Sequence, residues 1–283
     1  MNMRRPILTI LGALSFATLT HAQKTDGPPP DEKRIFKEAG TKKLEIWIWK
    51  PAGWKADDKR AAMVLYHGGG WRNGSPTLLS RQCARLAERG MVGFSVQYRL
   101  TSQPGITIED CVKDAKSAFR WVKGHAAELG VDPAKIAAGG GSAGGHLAAA
   151  LATLDDINDP GDDIGISTVP VALALFNPAV KLDFKGAERV AARPKAELLK
   201  LSPYHHLKAG HPPTLIFHGD ADTTVPIQTV HDYVAKIKDL GGLAEVAVSA
   251  GQGHGFFNRS PHFEQTLQQT ETFLEKQKLL TSP

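Results

Sequence analysis

The chain has 283 residues, of which 42% are hydrophobic and 22% are charged, and its formal net charge is +5. This composition is ordinary for a globular protein with a large core, and it excludes a disordered or low-complexity chain. The basic residues form no cluster, so the charge does not indicate a nucleic-acid partner.

The first residues have the pattern of an export signal. Arg4 and Arg5 precede an apolar run from Ile7 to Leu19, and the small residue Ala22 follows shortly after. A basic region, an apolar region and a small residue in this order are typical of a cleaved signal peptide. The apolar run is too short to cross a bilayer comfortably. We therefore expect residues 1–22 to be removed, leaving an exported protein, periplasmic or extracellular, without a membrane segment. The alternative that the sequence leaves open is that the run is retained as an N-terminal anchor.

The next residues change character before the first strand. Residues 23–34 are polar and contain three consecutive prolines, which predicts a flexible lead-in outside the core. Residues 35–283 are expected to form a single domain. Within it, Leu44–Trp49 alternates apolar and polar side chains, which predicts an early antiparallel strand.

Six further short apolar runs predict strands buried on both faces of a parallel sheet. They cover residues 61–66, 91–96, 135–138, 171–176, 214–217 and 244–248. Between them, apolar residues recur at helical spacing, and several of these segments end at glycine, as helices commonly do. The predicted helices cover residues 79–87, 112–122, 143–154, 227–240 and 263–274.

This alternation of strands and helices implies right-handed crossovers and a mostly parallel sheet. Residues 155–168 and 181–212 break the alternation, and we expect them to be insertions that form a lid or the wall of a pocket.

The sequence contains two cysteines, Cys83 and Cys111. In an exported protein they could form a disulfide. Each also falls on the apolar side of a predicted helix, where a free cysteine packs as a small hydrophobic residue. The sequence leaves both possibilities open, and neither cysteine has a partner at metal-ligand spacing.

The strongest local motif lies between a predicted strand and a predicted helix. Gly140-Gly141-Ser142-Ala143-Gly144 matches Gly-x-Ser-x-Gly. In this motif the serine occupies a sharp, strained turn that exposes its hydroxyl, and its small neighbours let strand and helix pass close together. The start of the helix also favours developing negative charge. Ser142 is therefore the candidate nucleophile.

The same stretch supports a rival interpretation. Gly139, Gly141 and Gly144 also match Gly-x-Gly-x-x-Gly after a strand, the pattern of a dinucleotide-binding turn. That pattern requires an acid about 20 residues further on. Asp155 and Asp156 come somewhat early and do not follow an evident strand.

A second glycine-rich loop follows an earlier strand. The His-Gly-Gly-Gly sequence at 67–70 resembles the loop that supplies an oxyanion hole together with the amide after a nucleophilic serine. Glycine is needed there because backbone N–H groups must approach a carbonyl oxygen closely. We predict Gly69, Gly70 and Ala143 as the donors.

Two further elements complete the pattern. Asp220 and Asp222 follow the strand at 214–217, and either could orient a histidine; Asp222 is the favoured candidate because a lone loop aspartate such as Asp220 more often caps its turn. His254 lies in a glycine-rich loop after the last predicted strand. The order Ser142, Asp222, His254 is the chain order of a hydrolase triad, and a dinucleotide-binding fold predicts neither the loop at 67–70 nor this histidine.

Over about residues 35–280 the sequence resembles the α/β-hydrolase superfamily, and it is similar to bacterial esterases of the BD-FAE-like and acetyl-xylan-esterase-like group. The matching segments are His67–Trp71, Tyr98–Leu100, Gly140–Leu147, His218–Pro226 and His254–Phe256. The resemblance implies an α/β-hydrolase fold, a mostly parallel central sheet flanked by helices on both faces. It also implies a Ser-Asp-His triad and, by analogy, acetyl or feruloyl esters of carbohydrates as substrates.

The expected activity is hydrolysis of carboxylic esters through an acyl-enzyme, without a cofactor or a metal. The expected partner is a small-molecule or oligosaccharide ester. Trp71 and Phe256 flank the motif loops and are predicted to line the substrate pocket, whereas packing beneath the loops is as plausible for Phe257. His146 is interpreted as structural, and the adjacent pair His205 and His206 lacks a third metal ligand.

Three alternatives remain open from sequence. A serine peptidase or amidase shares the segment around the acid and the histidine. A dinucleotide-binding protein shares the glycines around Ser142. A non-catalytic relative could bind a ligand in the same pocket, although every triad position is occupied.

Overall fold

The computed structural model describes residues 27–281. The strands are β1 (Glu32–Ala39), β2 (Lys42–Trp49), β3 (Arg60–Tyr66), β4 (Val92–Val96), β5 (Val131–Gly141), β6 (Leu173–Phe176), β7 (Thr214–Gly219) and β8 (Ala244–Ser249). The α-helices are α1 (Ser80–Glu88), α2 (Ile108–Gly124), α3 (Ala143–Ala150), α4 (Ala187–Ala191), α5 (Lys195–Lys200), α6 (Gln228–Asp239) and α7 (His262–Lys276). The signal peptide predicted at residues 1–22 lies outside the described residues and stays a prediction.

The eight strands form one sheet in the order β1-β2-β4-β3-β5-β6-β7-β8. The strands from β4 to β8 in that order are parallel, whereas β2 runs antiparallel to β4 and β1 antiparallel to β2. This confirms the predicted mostly parallel sheet and the early antiparallel strand. Because the carboxyl ends of parallel strands meet at one edge, the loops after β3, β5, β7 and β8 come together there.

The start of the domain differs from the sequence-based prediction. Strand β1 begins at Glu32, so the end of the predicted flexible lead-in, residues 32–34, belongs to the sheet. Further upstream, the carbonyl of Pro28 accepts a hydrogen bond of 3.1 Å from the Trp49 indole. A polar, half-exposed edge strand has no continuous apolar run, which is why the sequence pattern did not reveal it.

Helices cover both faces of the sheet. The side chains of β3 alternate between two apolar clusters, with Val64 on one face and Met63 and Leu65 on the other. The first cluster includes residues of α2, α3 and α6, and the second includes residues of α1 and α7. Burial of each strand on both faces removes apolar surface from water along its whole length, which explains the unbroken apolar runs in the sequence.

The last strand is an exception to the predicted double burial. Only Ala244 of β8 is buried, and Val248 is 49% exposed. The reason is topological, since among residues 27–281 β8 is the last strand of the sheet and pairs with β7 alone.

The structure also decides between the two interpretations of the cysteines. Cys83 and Cys111 are both buried and unpaired. Cys83 belongs to the apolar cluster on one face of the sheet and Cys111 to the cluster on the other, so the sheet separates them. They pack as small hydrophobic residues, and burial raises the pKa of both thiols.

Within residues 27–281, no helix is long and apolar enough to span a membrane.

Candidate active site

Ser142 occupies the turn between β5 and α3. Its backbone dihedrals are φ 53° and ψ −117°, a conformation that residues other than glycine rarely adopt. The surrounding structure holds this conformation, because the Ser142 N–H donates to the Phe176 carbonyl at 2.8 Å and the Ser142 carbonyl accepts from the His146 N–H at 3.0 Å. Strain of this kind persists only where neighbours enforce it, and it commonly marks a functional residue. Here it lifts the hydroxyl away from both the strand and the helix.

The glycines around Ser142 are required by close backbone approach. A Cβ built on Gly144 would lie 2.6 Å from the carbonyl oxygen of His67 and closer still to that of Tyr66. A Cβ on Gly145 would lie 2.6 Å from the Pro178 side chain. The start of α3 therefore rests directly on the end of β3. In this fold the glycines serve strand–helix packing.

His254 links the serine to an acid. Its Nδ1 lies 2.7 Å from Asp222 Oδ2, and its Nε2 lies 2.8 Å from Ser142 Oγ. A carboxylate can only accept, so Nδ1 carries the proton and Nε2 is free to accept the serine proton. The order and direction of these bonds are those of a nucleophile, a general base and an orienting acid.

The Asp222 carboxylate is fixed from its other side. Oδ1 accepts from the N–H groups of Thr224 at 2.8 Å and Val225 at 2.9 Å. Burial alone would raise the pKa of this carboxyl, but the hydrogen bonds from His254 and the two backbone amides outweigh it and lower the pKa below the ordinary value. Asp222 is thereby kept ionised beside the imidazole.

Asp220 has a different role. It is exposed, and its Oδ1 accepts from the Gly251 N–H at 2.6 Å, which ties the loop after β7 to the loop after β8. The structure thus directs Asp222, and not Asp220, towards the histidine.

The glycine loop after β3 faces the same edge of the sheet. Gly69 and Gly70 have φ values of 119° and 61°, which favour glycine. Tyr98 fixes this loop in two ways. Its ring stacks on that of His67 with centroids 4.2 Å apart, and the Tyr98 hydroxyl donates to the His67 carbonyl at 2.8 Å. His67 Nδ1 in turn lies 2.8 Å from the Gly68 carbonyl.

The amides predicted to form the oxyanion hole remain available. Within residues 27–281, the N–H groups of Gly69, Gly70 and Ala143 make no hydrogen bond to another part of the protein. Free amides beside a nucleophile can stabilise a developing oxyanion.

The sequence and fold of this chain are similar to those of known proteins. A family described by the α/β hydrolase fold matches residues 63–202. The apo form of Thermogutta terrifontis esterase 2 is 43% identical with a TM-score of 0.84, and the match covers 89% of this chain and 96% of that one. Its propionate-bound form gives a TM-score of 0.83 at 43% identity over the same shares. The probable carboxylic ester hydrolase LipM of Mycobacterium tuberculosis is 31% identical over 216 residues, which are 70% of this chain and 49% of LipM.

This chain belongs to the α/β-hydrolase superfamily. It spans about half the length of the curated relatives it matches.

Two residues predicted to line the pocket of this hydrolase are buried instead. Trp71 is 1% exposed, and its indole N–H donates to His146 Nδ1 at 3.2 Å. Phe256 is 5% exposed and packs edge-on against Phe257 and His262. Both follow a motif residue closely in sequence, but a bulky apolar side chain in a short loop turns inwards because burial stabilises it.

The interpretation of His146 as structural agrees with its surroundings in the hydrolase fold. It is fully buried, accepts from Trp71 at Nδ1 and lies 2.7 Å from the Leu201 carbonyl through Nε2. Both nitrogens of a neutral imidazole are thus used, and burial lowers the pKa of His146 to about 4. Phe257 is also a packing residue; it stacks on Phe176 beneath Gly141.

The insertion at 181–212 packs beside the nucleophile's helix. It contains α4 and α5, and Leu201 after α5 bonds to His146 on α3. Whether it acts as a lid stays a prediction.

His205, within this segment, contacts Ser202 at 2.9 Å and Asp183 at 3.5 Å. In the described part of the chain, no group of three or more His, Cys, Asp or Glu is placed to hold a metal.

Sequence reasoning assigned no role to two residues at the site. His218 is fully buried at the end of β7, and its Nε2 lies 2.8 Å from the Val225 carbonyl and 3.4 Å from Asp222 Oδ2. It therefore braces the turn that presents the acid; its place in the His-Gly-x-x-Asp segment was the available signal. Asn177 contacts His254, and this asparagine belongs to no motif that could be recognised in the sequence.

Three buried histidines of the hydrolase predict acid sensitivity. Burial lowers the pKa of His67, His146 and His211 to about 4, whereas histidine in an unfolded chain titrates near 6.5. Between these values the unfolded state binds more protons than the folded state, so stability falls as the pH drops through this window. At pH 5 each histidine is expected to cost up to about 2 kcal/mol of unfolding free energy relative to neutral pH.

The measurement is urea unfolding at pH 7 and pH 5, with a lower midpoint expected at pH 5. His211→Gln should reduce the difference between the two midpoints, whereas His231→Gln, at an exposed position on α6, should leave it unchanged. Equal midpoints for the wild-type protein at both pH values would contradict the prediction.

Proposed function

We propose that the protein is a serine esterase that hydrolyses carboxylic esters through an acyl-enzyme at Ser142. The observation that carries the proposal is the hydrogen-bonded chain from Ser142 Oγ through His254 to Asp222, with distances of 2.8 Å and 2.7 Å, on a strained turn. A buried structural network would not need the positive φ of Ser142, which presents a hydroxyl at the end of the sheet.

In the first half of the reaction, His254 Nε2 takes the proton of Ser142 as Oγ attacks the ester carbonyl carbon. The charge on the carbonyl oxygen is stabilised by the amides of Gly69, Gly70 and Ala143. Collapse of the tetrahedral intermediate breaks the bond to the alcohol oxygen, which leaves with the proton from Nε2. Asp222 stays ionised and stabilises the imidazolium that exists between these two proton transfers.

In the second half, water replaces the alcohol. Nε2 takes a proton from the water as its oxygen attacks the acyl carbon, and the intermediate then breaks the bond to Ser142 Oγ. The proton on Nε2 returns to Oγ, and the carboxylic acid leaves. The protein's own groups complete this cycle, and we propose no cofactor.

We propose short acyl groups as the substrates, and acetyl esters of carbohydrates as the first class to screen. Support for short chains comes from Thermogutta terrifontis esterase 2, which has been determined with propionate and with butyrate bound. The carbohydrate part depends on the sequence resemblance alone. The two aromatic residues predicted to line the substrate pocket do not support it, because Trp71 and Phe256 are buried.

Covalent trapping of the nucleophile tests the proposal. Thermogutta terrifontis esterase 2 is known in a form phosphorylated by paraoxon. Paraoxon should transfer one diethylphosphoryl group to this protein, with p-nitrophenol as the leaving group, and abolish hydrolysis of p-nitrophenyl acetate. Peptide mass mapping should locate the adduct on Ser142. The Ser142→Ala variant should take up no label and should not hydrolyse the ester.

The outcome decides the role of Ser142. Label on another residue, or a Ser142→Ala variant that still hydrolyses the ester at the wild-type rate, would refute Ser142 as the nucleophile. With the nucleophile established, initial rates on p-nitrophenyl acetate, p-nitrophenyl butyrate, methyl ferulate and acetylated xylan identify the acyl group and the alcohol. Faster hydrolysis of methyl ferulate than of the acetyl esters would overturn the proposed short-acyl preference.

A further inference from the structure

Asn177 is held rigidly beside the catalytic histidine. It directly follows β6, is 1% exposed, and its N–H donates to the Phe217 carbonyl at 2.7 Å. Its φ is 36°, in the left-handed region that asparagine tolerates better than most residues. The backbone of Asn177 is therefore fixed by the neighbouring strand β7. Its side chain projects to the edge of the sheet where Ser142 and His254 meet.

The orientation of its amide follows from its partners. The Gly255 N–H lies 3.2 Å from Asn177 Oδ1, and a backbone N–H can only donate, so this atom must be the oxygen. The amide nitrogen, Nδ2, then faces His254 Nε2 at 3.4 Å. Asn177 thus contacts both the backbone of the histidine loop and the ring nitrogen that moves protons.

The two donors to His254 Nε2 differ in strength in the free protein. Ser142 Oγ lies 2.8 Å away, so the serine hydroxyl is the main donor and the amide of Asn177 is the weaker one. Once Ser142 is acylated, Oγ carries no proton and can no longer donate. Among the described residues, Asn177 Nδ2 is then the hydrogen-bond donor that remains next to Nε2.

We propose that Asn177 is a positioning residue that keeps His254 in place in the acyl-enzyme until the hydrolytic water arrives. This inference rests on the proposed serine esterase mechanism and goes beyond it, because it assigns the residue to deacylation. In that step Nε2 accepts a proton from water, the water oxygen bonds to the acyl carbon, and the bond from that carbon to Oγ breaks. A ring that has rotated away from the acyl carbon cannot accept the proton.

The role predicts a specific kinetic signature. Asn177→Gly removes the side chain while tolerating the φ of 36°. Loss of one hydrogen bond to the base is expected to slow deacylation about tenfold, whereas acylation, in which Ser142 itself holds the ring, should change less than about threefold. Because kcat then follows deacylation, kcat and KM should fall together and kcat/KM should stay near the wild-type value. General loosening of the site would lower kcat/KM instead.

Stopped-flow release of p-nitrophenol from p-nitrophenyl acetate separates the two steps, since the burst reports acylation and the following steady state reports deacylation. A second variant, Asn177→Asp, keeps an oxygen for the Gly255 N–H and can only accept at the second position, so it should also deacylate slowly. It keeps the proposal testable where the glycine variant fails to fold. The matched control is Asn258→Ala, because Asn258 is exposed and donates to the carbonyl of the same Gly255 at 3.3 Å.

Slow deacylation in both Asn177 variants, with Asn258→Ala near the wild-type rates, supports the proposal. A burst phase of Asn177→Gly slowed as much as its steady state, or wild-type deacylation in Asn177→Asp, would overturn it. Failure of the underlying mechanism looks different, since the wild-type protein itself would then form no acyl-enzyme detectable by intact mass.

Discussion

Asp222→Asn is expected to lower kcat for p-nitrophenyl acetate about 10⁴-fold, with KM changed only a few-fold. The reason is the pair of hydrogen bonds that the other carboxylate oxygen, Oδ1, accepts. Oδ1 accepts from the N–H groups of Thr224 and Val225, so the oxygen of an asparagine must occupy that position. Its NH₂ group then faces His254 Nδ1 and donates to it. The ring proton is forced onto Nε2, which faces Ser142 and can no longer accept the serine proton.

The matched control is Asp220→Asn. Asp220 accepts from the Gly251 N–H through Oδ1, and an asparagine oxygen can replace that interaction. We expect kcat within about threefold of the wild-type value, because no charge next to His254 is lost. Both variants should unfold at nearly the wild-type temperature. A larger loss of kcat in Asp220→Asn than in Asp222→Asn would exchange the roles assigned to the two acids.

Gly144→Ala is expected to lower the unfolding free energy by about 3–5 kcal/mol or to prevent folding. The new Cβ would overlap the carbonyl oxygens of Tyr66 and His67 at the end of β3. That strand cannot move away, because it pairs with β4 on one side and β5 on the other. In a helix free of such contacts, the same change would raise the unfolding free energy by about 1 kcal/mol, because alanine has the higher helix propensity. The sign of the effect therefore tests the close approach directly.

Thermal unfolding followed by circular dichroism measures this effect. Gly253→Ala is the control, because a Cβ at Gly253, in the loop before His254, meets no atom within 4 Å. It should unfold within a few degrees of the wild-type protein. If Gly144→Ala were as stable as Gly253→Ala, the contact between α3 and β3 would be absent in solution.

The fold was largely predictable because its strands are buried on both faces. Continuous apolar runs such as those of β3 and β7 occur for that reason, and the sequence pattern located them closely. The edge strands behaved differently. Strand β1 was missed and β8 was predicted to be buried, because the sequence pattern does not state which strands have a neighbour on only one side.

The site was predictable wherever local backbone geometry dictates residue type. A strained turn around Ser142 needs small neighbours, and amides that approach a carbonyl oxygen need glycine, so both requirements leave a readable motif. Asn177 left none. Its role depends on β6 ending beside the loop of His254, and one asparagine after an apolar run resembles an ordinary turn residue.

The sequence by itself determined the superfamily, the parallel sheet, and the order in which Ser142, Asp222 and His254 follow one another. Each depends on local periodicity or on a short motif whose backbone admits few residue types. Tertiary structure alone decided which face each side chain occupies. It turned Asp222 towards His254 and Asp220 towards Gly251, and it separated Cys83 from Cys111 by the sheet. Tertiary structure also buried Trp71 and Phe256. Burial stabilises apolar side chains, and the residues that bury them come from segments distant in sequence.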